Sequence, residues 1–114
     1  MGHEWSGVQR LLRGAPAILA FACAAASAQA PREVVIREYR FEPAEVKVQA
    51  GWTVRWTNDE KRTSHSVLFP AEGGLESERM FPGESWERRF DKPGRYDYRC
   101  GPHPEMKGTV VVGE

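Results

Sequence analysis

Residues 94–112 read GRYDYRCGPHPEMKGTVVV, and the alternation within this segment indicates the class of fold. Tyr96, Tyr98 and Cys100 alternate with charged residues, so their side chains are expected on one face of a β-strand. A short loop rich in proline follows, and Val110 then begins another alternating apolar pattern that closes the sequence. The stretch therefore predicts two strands joined by a tight loop.

The same alternation, with a period of two residues, recurs through the rest of the chain after residue 28. Glycine and proline separate the alternating segments at short intervals, and no helical period of 3.6 residues is present there. This pattern is typical of an antiparallel β-sandwich or barrel. The apolar positions of the other segments are Val34 and Ile36, Val46 and Val48, Trp52, Val54 and Trp56, His65, Val67 and Phe69, and Trp86 and Phe90.

Residues 1–28 have the features of a secretory signal peptide. Arg10 and Arg13 precede a short apolar run, Ala15–Ala26, and the run leads into small residues ending at Ala28. The run is shorter than the roughly 20 apolar residues needed to span a bilayer. A buried helix is the alternative interpretation, although the run has no capping residue. We therefore predict export to the periplasm, with no membrane insertion of the mature chain.

Two cleavage sites fit the small-residue rule, one after Ala28 and one after Ala30. We place the boundary at Ala28, which makes residues 29–114 one small domain. Removal of residues 1–28 reduces the chain's 16 basic and 16 acidic residues to 14 and 15, a net charge near −1. Because there is no basic excess to neutralise phosphates, nucleic acid is not a predicted partner.

The predicted mature domain contains a single cysteine and two histidines. Cys23 falls in the signal peptide, which leaves Cys100 without a partner for an internal disulfide. His65 lies in one alternating segment and is expected to point inward, as is Cys100. His103 follows Cys100 closely, so one thiol and both imidazoles are candidates for one site.

The loop after Cys100 adds a fourth donor. His103 and Met106 lie within seven residues of chain that begin at the cysteine, and Pro102 and Pro104 exclude a helix there. Two histidines and one cysteine with a weak axial methionine form a blue-copper site, in which mixed nitrogen and sulfur ligands suit both Cu(I) and Cu(II). The residue types therefore predict a copper ion that exchanges one electron.

Each donor also has a purely structural interpretation. A single inward cysteine is often a packed core residue, and a single histidine is often a satisfied polar group. Met106 could fill the core, and Met80 could take its place. Zinc is the competing metal, since cysteine and histidine suit it too; an axial methionine with no carboxylate beside it favours copper.

From about Tyr39 to Val112 the sequence resembles the cupredoxins, most closely their amicyanin and plastocyanin branch. Two residues separate Cys100 from His103 and two separate His103 from Met106, which resembles the short ligand loop of amicyanins. The segments that carry the resemblance are Phe41-x-Pro43, Val48-x-Ala50-Gly51-x-Thr53-Val54-x-Trp56-x-Asn58, His65-Ser66-Val67, Pro82-Gly83-Glu84-Ser85 and Gly94-x-Tyr96-x-Tyr98-x-Cys100.

This resemblance implies an all-β, eight-stranded Greek-key β-sandwich with one copper ion at one end. It implies His65, Cys100, His103 and Met106 as the ligands. The expected function is transfer of single electrons by Cu(II)/Cu(I) cycling in the periplasm. A monomer is expected that meets redox partners transiently, such as a c-type cytochrome or a periplasmic dehydrogenase.

Ser66 departs from the family pattern, in which many members carry asparagine at this position. Its shorter side chain puts in doubt the connection between the two ligand-bearing segments. The alternative function is a copper carrier or resistance protein that transfers metal rather than electrons. An enzyme is not predicted, because catalysis of that kind needs an open metal position or a second metal centre, and both histidines are already assigned.

Overall fold

Most of the alternating segments form strands in residues 29–114, the part of the chain that the structure, a computed structural model, describes. The segment predicted as a strand from His65 is the exception, because its strand covers only Leu68–Phe69 and His65 forms an isolated bridge with Met80. The predicted signal peptide, residues 1–28, lies outside the described residues. One turn of 3-10 helix occupies Pro70–Glu72. The strands are β1 (Arg32–Arg37), β2 (Arg40–Glu42), β3 (Glu45–Gln49), β4 (Trp52–Asn58), β5 (Leu68–Phe69), β6 (Leu75–Glu76), β7 (Ser85–Phe90), β8 (Gly94–Arg99) and β9 (Lys107–Gly113).

The strands form two sheets, one in the order β2-β1-β4-β7 and the other in the order β3-β9-β8-β5-β6. The predicted all-β sandwich is therefore confirmed, with nine strands in place of eight because β5 and β6 are two-residue strands. The purely antiparallel pairing expected from the alternation is wrong at two places. Strands β1 and β4 are parallel, as are β3 and β9. Strand β3 lies in the opposite sheet from its chain neighbours, so β4 returns beside β1 in the same direction.

The core lies between the two sheets and is rich in aromatic side chains. Trp56 on β4 is completely buried, and its ring contacts those of Phe69, Trp86, Phe90 and Tyr98 at centroid distances of 5.4–6.4 Å. Close packing of large rings resists deformation. The core thus forms a stiff base for the loops at the ends of the strands.

Strand pairing brings two distant segments together at one end of the sandwich. Leu68 of β5 pairs with Arg99 of β8 in an antiparallel register. Continuing that register places residues 65–67 beside the chain that follows Arg99. The connection between β4 and β5 and the connection between β8 and β9 therefore meet.

No helix among residues 29–114 is long and apolar enough to span a membrane.

Candidate metal centre

Backbone hydrogen bonds fix the position of His65. Its N–H donates to the Met80 carbonyl at 3.1 Å, and its own carbonyl accepts from the Met80 N–H at 2.8 Å. The buried Asn58 side chain donates to the carbonyls of Thr63 and Met80, at 2.8 and 2.9 Å. The loop that presents His65 is therefore bound to the end of β4 and to the segment containing Met80.

Cys100 and His103 lie on the loop between β8 and β9, which closes on itself. The Cys100 N–H donates to the Met106 carbonyl at 3.0 Å, and the Met106 N–H donates to the His103 carbonyl at 2.9 Å. These two bonds fold the loop so that Cys100, His103 and Met106 belong to one compact turn. Pro102 and Pro104, both exposed, flank His103 and restrict its backbone.

The structure brings three of the four predicted donors to one point. Ligand atoms of His65, Cys100 and His103 all lie within 4.8 Å of one another. The Cys100 Sγ atom is 3.6 Å from His65 Nδ1 and 3.4 Å from His103 Nδ1. His65 and Cys100 are fully buried, as predicted, while His103 is half-buried.

Met106, the fourth predicted donor, is also buried, with 2% of its surface exposed. Its side chain packs in the same apolar cluster as Cys100. Met80, the alternative methionine, is equally buried and pairs with His65 through its backbone. Backbone hydrogen bonds join Met106 to Cys100 and His103, so Met106 belongs to the loop that carries two of the three clustered donors.

The surroundings of His65 favour a neutral imidazole with its lone pair toward the thiol. Burial lowers the pKa of His65, and a hydrogen bond with Glu60 partly offsets that effect. The Nε2 atom lies 3.2 Å from Glu60 Oε2. Since a carboxylate accepts, Nε2 carries the proton and Nδ1 presents its lone pair to Cys100. A neutral imidazole is the form that binds metals.

Ser66 retains the connection that its short side chain put in doubt. Its hydroxyl accepts from the Gly101 N–H at 2.9 Å and donates to Glu76 Oε2 at 2.7 Å. Its backbone N–H points to the Cys100 Sγ atom at 3.5 Å. The two ligand-bearing segments are therefore joined, and Glu76 enters the network as an additional member.

Tyr39 and Glu60 are residues of the site that the sequence alone did not identify. The Tyr39 ring packs edge-on against the imidazoles of both His65 and His103. Glu60 accepts from the Tyr39 N–H and contacts His65. Neither residue belongs to a sequence motif that would identify it, because loop conformation, and not spacing along the chain, brings both residues to the histidines.

The donor chemistry fits a copper ion. One buried thiol and two imidazole nitrogens converge at a point closed on one side by the apolar core, and a thioether lies in the same loop. Histidine and cysteine in a trigonal set with a weak axial methionine are the ligands of blue-copper sites. The Glu60 carboxylate lies behind His65, where it orients the imidazole through Nε2, and the Glu76 carboxylate accepts from Ser66.

Comparisons with known proteins agree with this geometry. A family model described as a cupredoxin-like domain matches residues 12–112. The chain belongs to the cupredoxin family. Amicyanin-alpha of Methylorubrum extorquens is 39% identical to it over 118 residues, which cover 90% of this chain and 98% of that one. Plastocyanin of Scenedesmus fuscus is 37% identical over 84 residues, covering 63% of this cupredoxin and 85% of that protein.

Solved structures of amicyanin variants superpose on this cupredoxin. A reduced tryptophan-to-tyrosine variant has a TM-score of 0.70 and 35% identity over 78% of this chain and 88% of that one. The Cu(I) form of a methionine-to-alanine variant gives a TM-score of 0.70 and 36% identity over the same shares. The predictions of an amicyanin- and plastocyanin-like cupredoxin, of a copper cofactor and of electron carriage are thereby confirmed.

Proposed function

We propose that this cupredoxin carries single electrons in the periplasm on one copper ion held by His65, Cys100, His103 and Met106. The convergence of the thiol and two imidazole nitrogens within 4.8 Å carries the proposal. Copper bound there supplies a one-electron couple between Cu(II) and Cu(I). The signal-peptide features of residues 1–28 support the periplasmic location, with residues 29–114 as the working domain.

The protein's own part in the transfer is to keep the donors still. His65 is fixed by its backbone pairing with Met80 and through Nε2 by Glu60. Cys100 is fully buried and is held by the bond between its N–H and the Met106 carbonyl. Donors that do not move between oxidation states keep the reorganisation small and the transfer fast.

His103 offers the route by which electrons enter and leave. Its ring is half-buried, while the other two clustered donors are fully buried. The exposed prolines at positions 102 and 104 extend an apolar rim beside it. A rim of this kind suits a small interface, below about 1,200 Å², as in transient redox encounters. The partner classes we propose are a c-type cytochrome and a periplasmic dehydrogenase, each met by a monomer.

Transfer of electrons is favoured over transfer of metal by the stiffness of the site. A protein that hands over its metal needs ligands that open, whereas this loop contains two prolines and closes through two backbone hydrogen bonds. We also propose that the protein is not an enzyme. In residues 29–114 the cluster of His65, Cys100 and His103 is the one group of histidine, cysteine and acidic side chains suited to a metal.

A visible spectrum of residues 29–114 titrated with Cu(II) tests the proposal. We expect an intense blue band at one equivalent of copper and its loss in Cys100→Ser, because the thiolate supplies the charge-transfer partner. Met80→Leu is the matched control and is expected to remain blue, since Met80 is not an assigned ligand.

Three outcomes would contradict the proposal. A blue Cys100→Ser protein would remove Cys100 from the ligand set. Tight zinc binding with no response to copper would identify a zinc site. Rapid copper loss to a Cu(I) chelator with slow electron self-exchange would favour metal carriage over electron carriage.

A further inference from the structure

The hairpin between β1 and β2 turns through an unusual pair of residues. Arg37 and Arg40 pair across it, leaving Glu38 and Tyr39 as a two-residue loop. Their φ angles are +51° and +57°, a left-handed backbone conformation that residues other than glycine and asparagine rarely adopt. Two-residue hairpins of this kind usually carry Asn-Gly. Strained backbone of this type clusters at functional sites, so we expect the turn to position a side chain of the site.

The turn places one aromatic ring against both histidines of the metal centre. The Tyr39 ring lies 5.4 Å from the His65 ring at an interplanar angle of 88°, and 5.0 Å from the His103 ring at 79°. Both are edge-to-face contacts, the geometry that aromatic pairs prefer. One side of Tyr39 therefore touches both imidazoles, while 45% of its surface remains exposed.

Polar contacts fix the ring in this place. The Tyr39 hydroxyl lies 3.0 Å from Thr63 Oγ1, on the loop that presents His65. The Tyr39 N–H donates to Glu60 Oε2 at 2.8 Å, and the same oxygen is 3.2 Å from His65 Nε2. One carboxylate oxygen thus joins the strained turn to the imidazole that the ring covers.

We propose that Tyr39 is a positioning residue that holds the His65 and His103 imidazoles in place for copper. It clamps both rings from the side of the β1–β2 turn, while the Cys100 thiol lies on their Nδ1 side. The strained turn is retained because it delivers the ring to this position. The inference rests on the proposed function only in naming copper, since the clamp acts on the two imidazoles before metal arrives.

Tyr39→Gly tests the clamp, with Glu38→Gly as its matched control. Both substitutions relieve a left-handed position, and only the first removes the ring. We expect copper release from Tyr39→Gly to a Cu(I) chelator to be roughly ten-fold faster than from wild type, as for other residues that orient metal ligands. Release from Glu38→Gly is expected to stay within about two-fold of wild type, because the orienting ring remains.

A measurement on the metal-free protein separates the clamp from copper binding. In Tyr39→Gly we expect the imidazole proton resonances of His65 and His103 to shift and broaden, since the rings lose a fixed aromatic neighbour. Tyr39→Phe keeps the ring and loses the hydroxyl contact with Thr63. Its imidazole resonances and copper release are expected near those of wild type, because the ring and the backbone hydrogen bond to Glu60 remain. Tyr39→Leu removes the aromatic ring but keeps a large side chain, and it is expected to show faster copper release and shifted imidazole resonances. This variant tests the clamp where the glycine variant fails to fold, and wild-type behaviour in it would overturn the proposal.

The proposal is overturned if wild type and Tyr39→Gly release copper at the same rate and have the same imidazole resonances. It is also overturned if Glu38→Gly accelerates release as much as Tyr39→Gly does, because the turn backbone would then be responsible. Wild type that binds no copper would refute the proposed function. Broadened imidazole resonances in metal-free Tyr39→Gly would even then support the clamp.

Discussion

Ser66 illustrates how a single hydroxyl connects the two segments that carry the ligands. It accepts from Gly101 and donates to Glu76, so both of its hydrogen-bonding roles are used. Glycine at position 101 leaves room for this network, because a Cβ there would collide with the Glu76 carboxylate and lie 2.6 Å from Ser66 Oγ, so these side chains would have to move. The close approach of the segments therefore depends on a small residue on each side.

Ser66→Ala is expected to lower the free energy of unfolding of the metal-free protein by about 1–3 kcal/mol. The substitution leaves the Gly101 N–H without its acceptor, and an unsatisfied buried donor costs about that much. Urea denaturation measures the loss. Ser64→Ala is the control: Ser64 accepts from the exposed Arg79 side chain, and its loss is expected to cost about 0.5 kcal/mol or less. Equal losses in the two variants would show that the hydrogen bond between Gly101 and Ser66 stabilises the fold no more than an exposed hydrogen bond does.

The residues of the site differ in how far the sequence identified them. Cys100, His103 and Met106 lie within one loop, so their proximity follows from chain connectivity. Ser66 was noticed only as a departure from the family pattern, and its bond to Gly101 spans 35 residues. Contacts over such separations depend on strand register, which local periodicity does not specify.

At the level of elements, Arg88 on β7 joins the two sheets. Its guanidinium lies 4.5 Å from the ring centroids of both Phe69 and Phe90, and 5.5 Å from that of Tyr96. Two of its nitrogens donate to the Glu72 carboxylate at 2.7 Å each. The 3-10 turn that contains Glu72 is thereby attached to a strand of the opposite sheet, at a site where cation–π contact and a bidentate ion pair act together.

Glu72→Gln is expected to destabilise the protein at neutral pH and to have little effect in acid. The hydrogen bonds from Arg88 hold the pKa of Glu72 below its ordinary value of 4.5. A depressed folded pKa means that the ionised pair stabilises the fold above the unfolded pKa and that this contribution disappears as pH falls through the folded pKa. We expect a loss of about 1 kcal/mol at pH 7, the upper end for a partly exposed pair.

Thermal or urea unfolding at pH 7 and in steps below pH 4.5 checks this expectation. Asp91→Asn is the matched control, since its ion pair with Arg89 is about two-thirds exposed on both sides. It is expected to change stability little at either pH. A Glu72→Gln deficit that persists undiminished in acid would assign the effect to packing and not to charge.

Strands were the most predictable elements and their partners the least. The segments containing Val34 and Ile36, or Val46 and Val48, alternate clearly, and all four side chains are buried as expected. The parallel pairing of β1 with β4 was not foreseen, because alternation reports which face is buried and not which strand lies alongside. The β1–β2 turn was likewise unreadable, since Glu38 and Tyr39 are not typical of left-handed positions.

For the whole molecule, the division into a signal peptide, residues 1–28, and a working domain, residues 29–114, stays a prediction. Ala28 occupies the last position before one proposed cleavage site and the third position before the other, which follows Ala30. Both positions require a small side chain. One substitution therefore tests both sites.

Ala28→Phe is expected to block processing of the full-length chain expressed in a Gram-negative host. Wild type should appear in the periplasm with Gln29 or Pro31 at its N-terminus, as read by mass spectrometry. Ala24→Phe, within the apolar run, is the control and should still be processed. A wild-type chain that retains residues 1–28 after export would refute the proposed boundary.

Residue types and their alternation along the chain were enough to predict a donor set and a class of fold. Residues 29–114 contain one cysteine, two histidines and two methionines, and Cys100, His103 and Met106 have a spacing suited to copper. Period-two alternation favours a β-sandwich or barrel. The contacts that hold the donors became visible only in the folded chain: Tyr39 against both imidazoles, Glu60 behind His65, and Ser66 joined to Gly101. The reason is physical, since ligand identity is a property of residue type, whereas positioning arises from contacts between loops that meet only after the strands have paired.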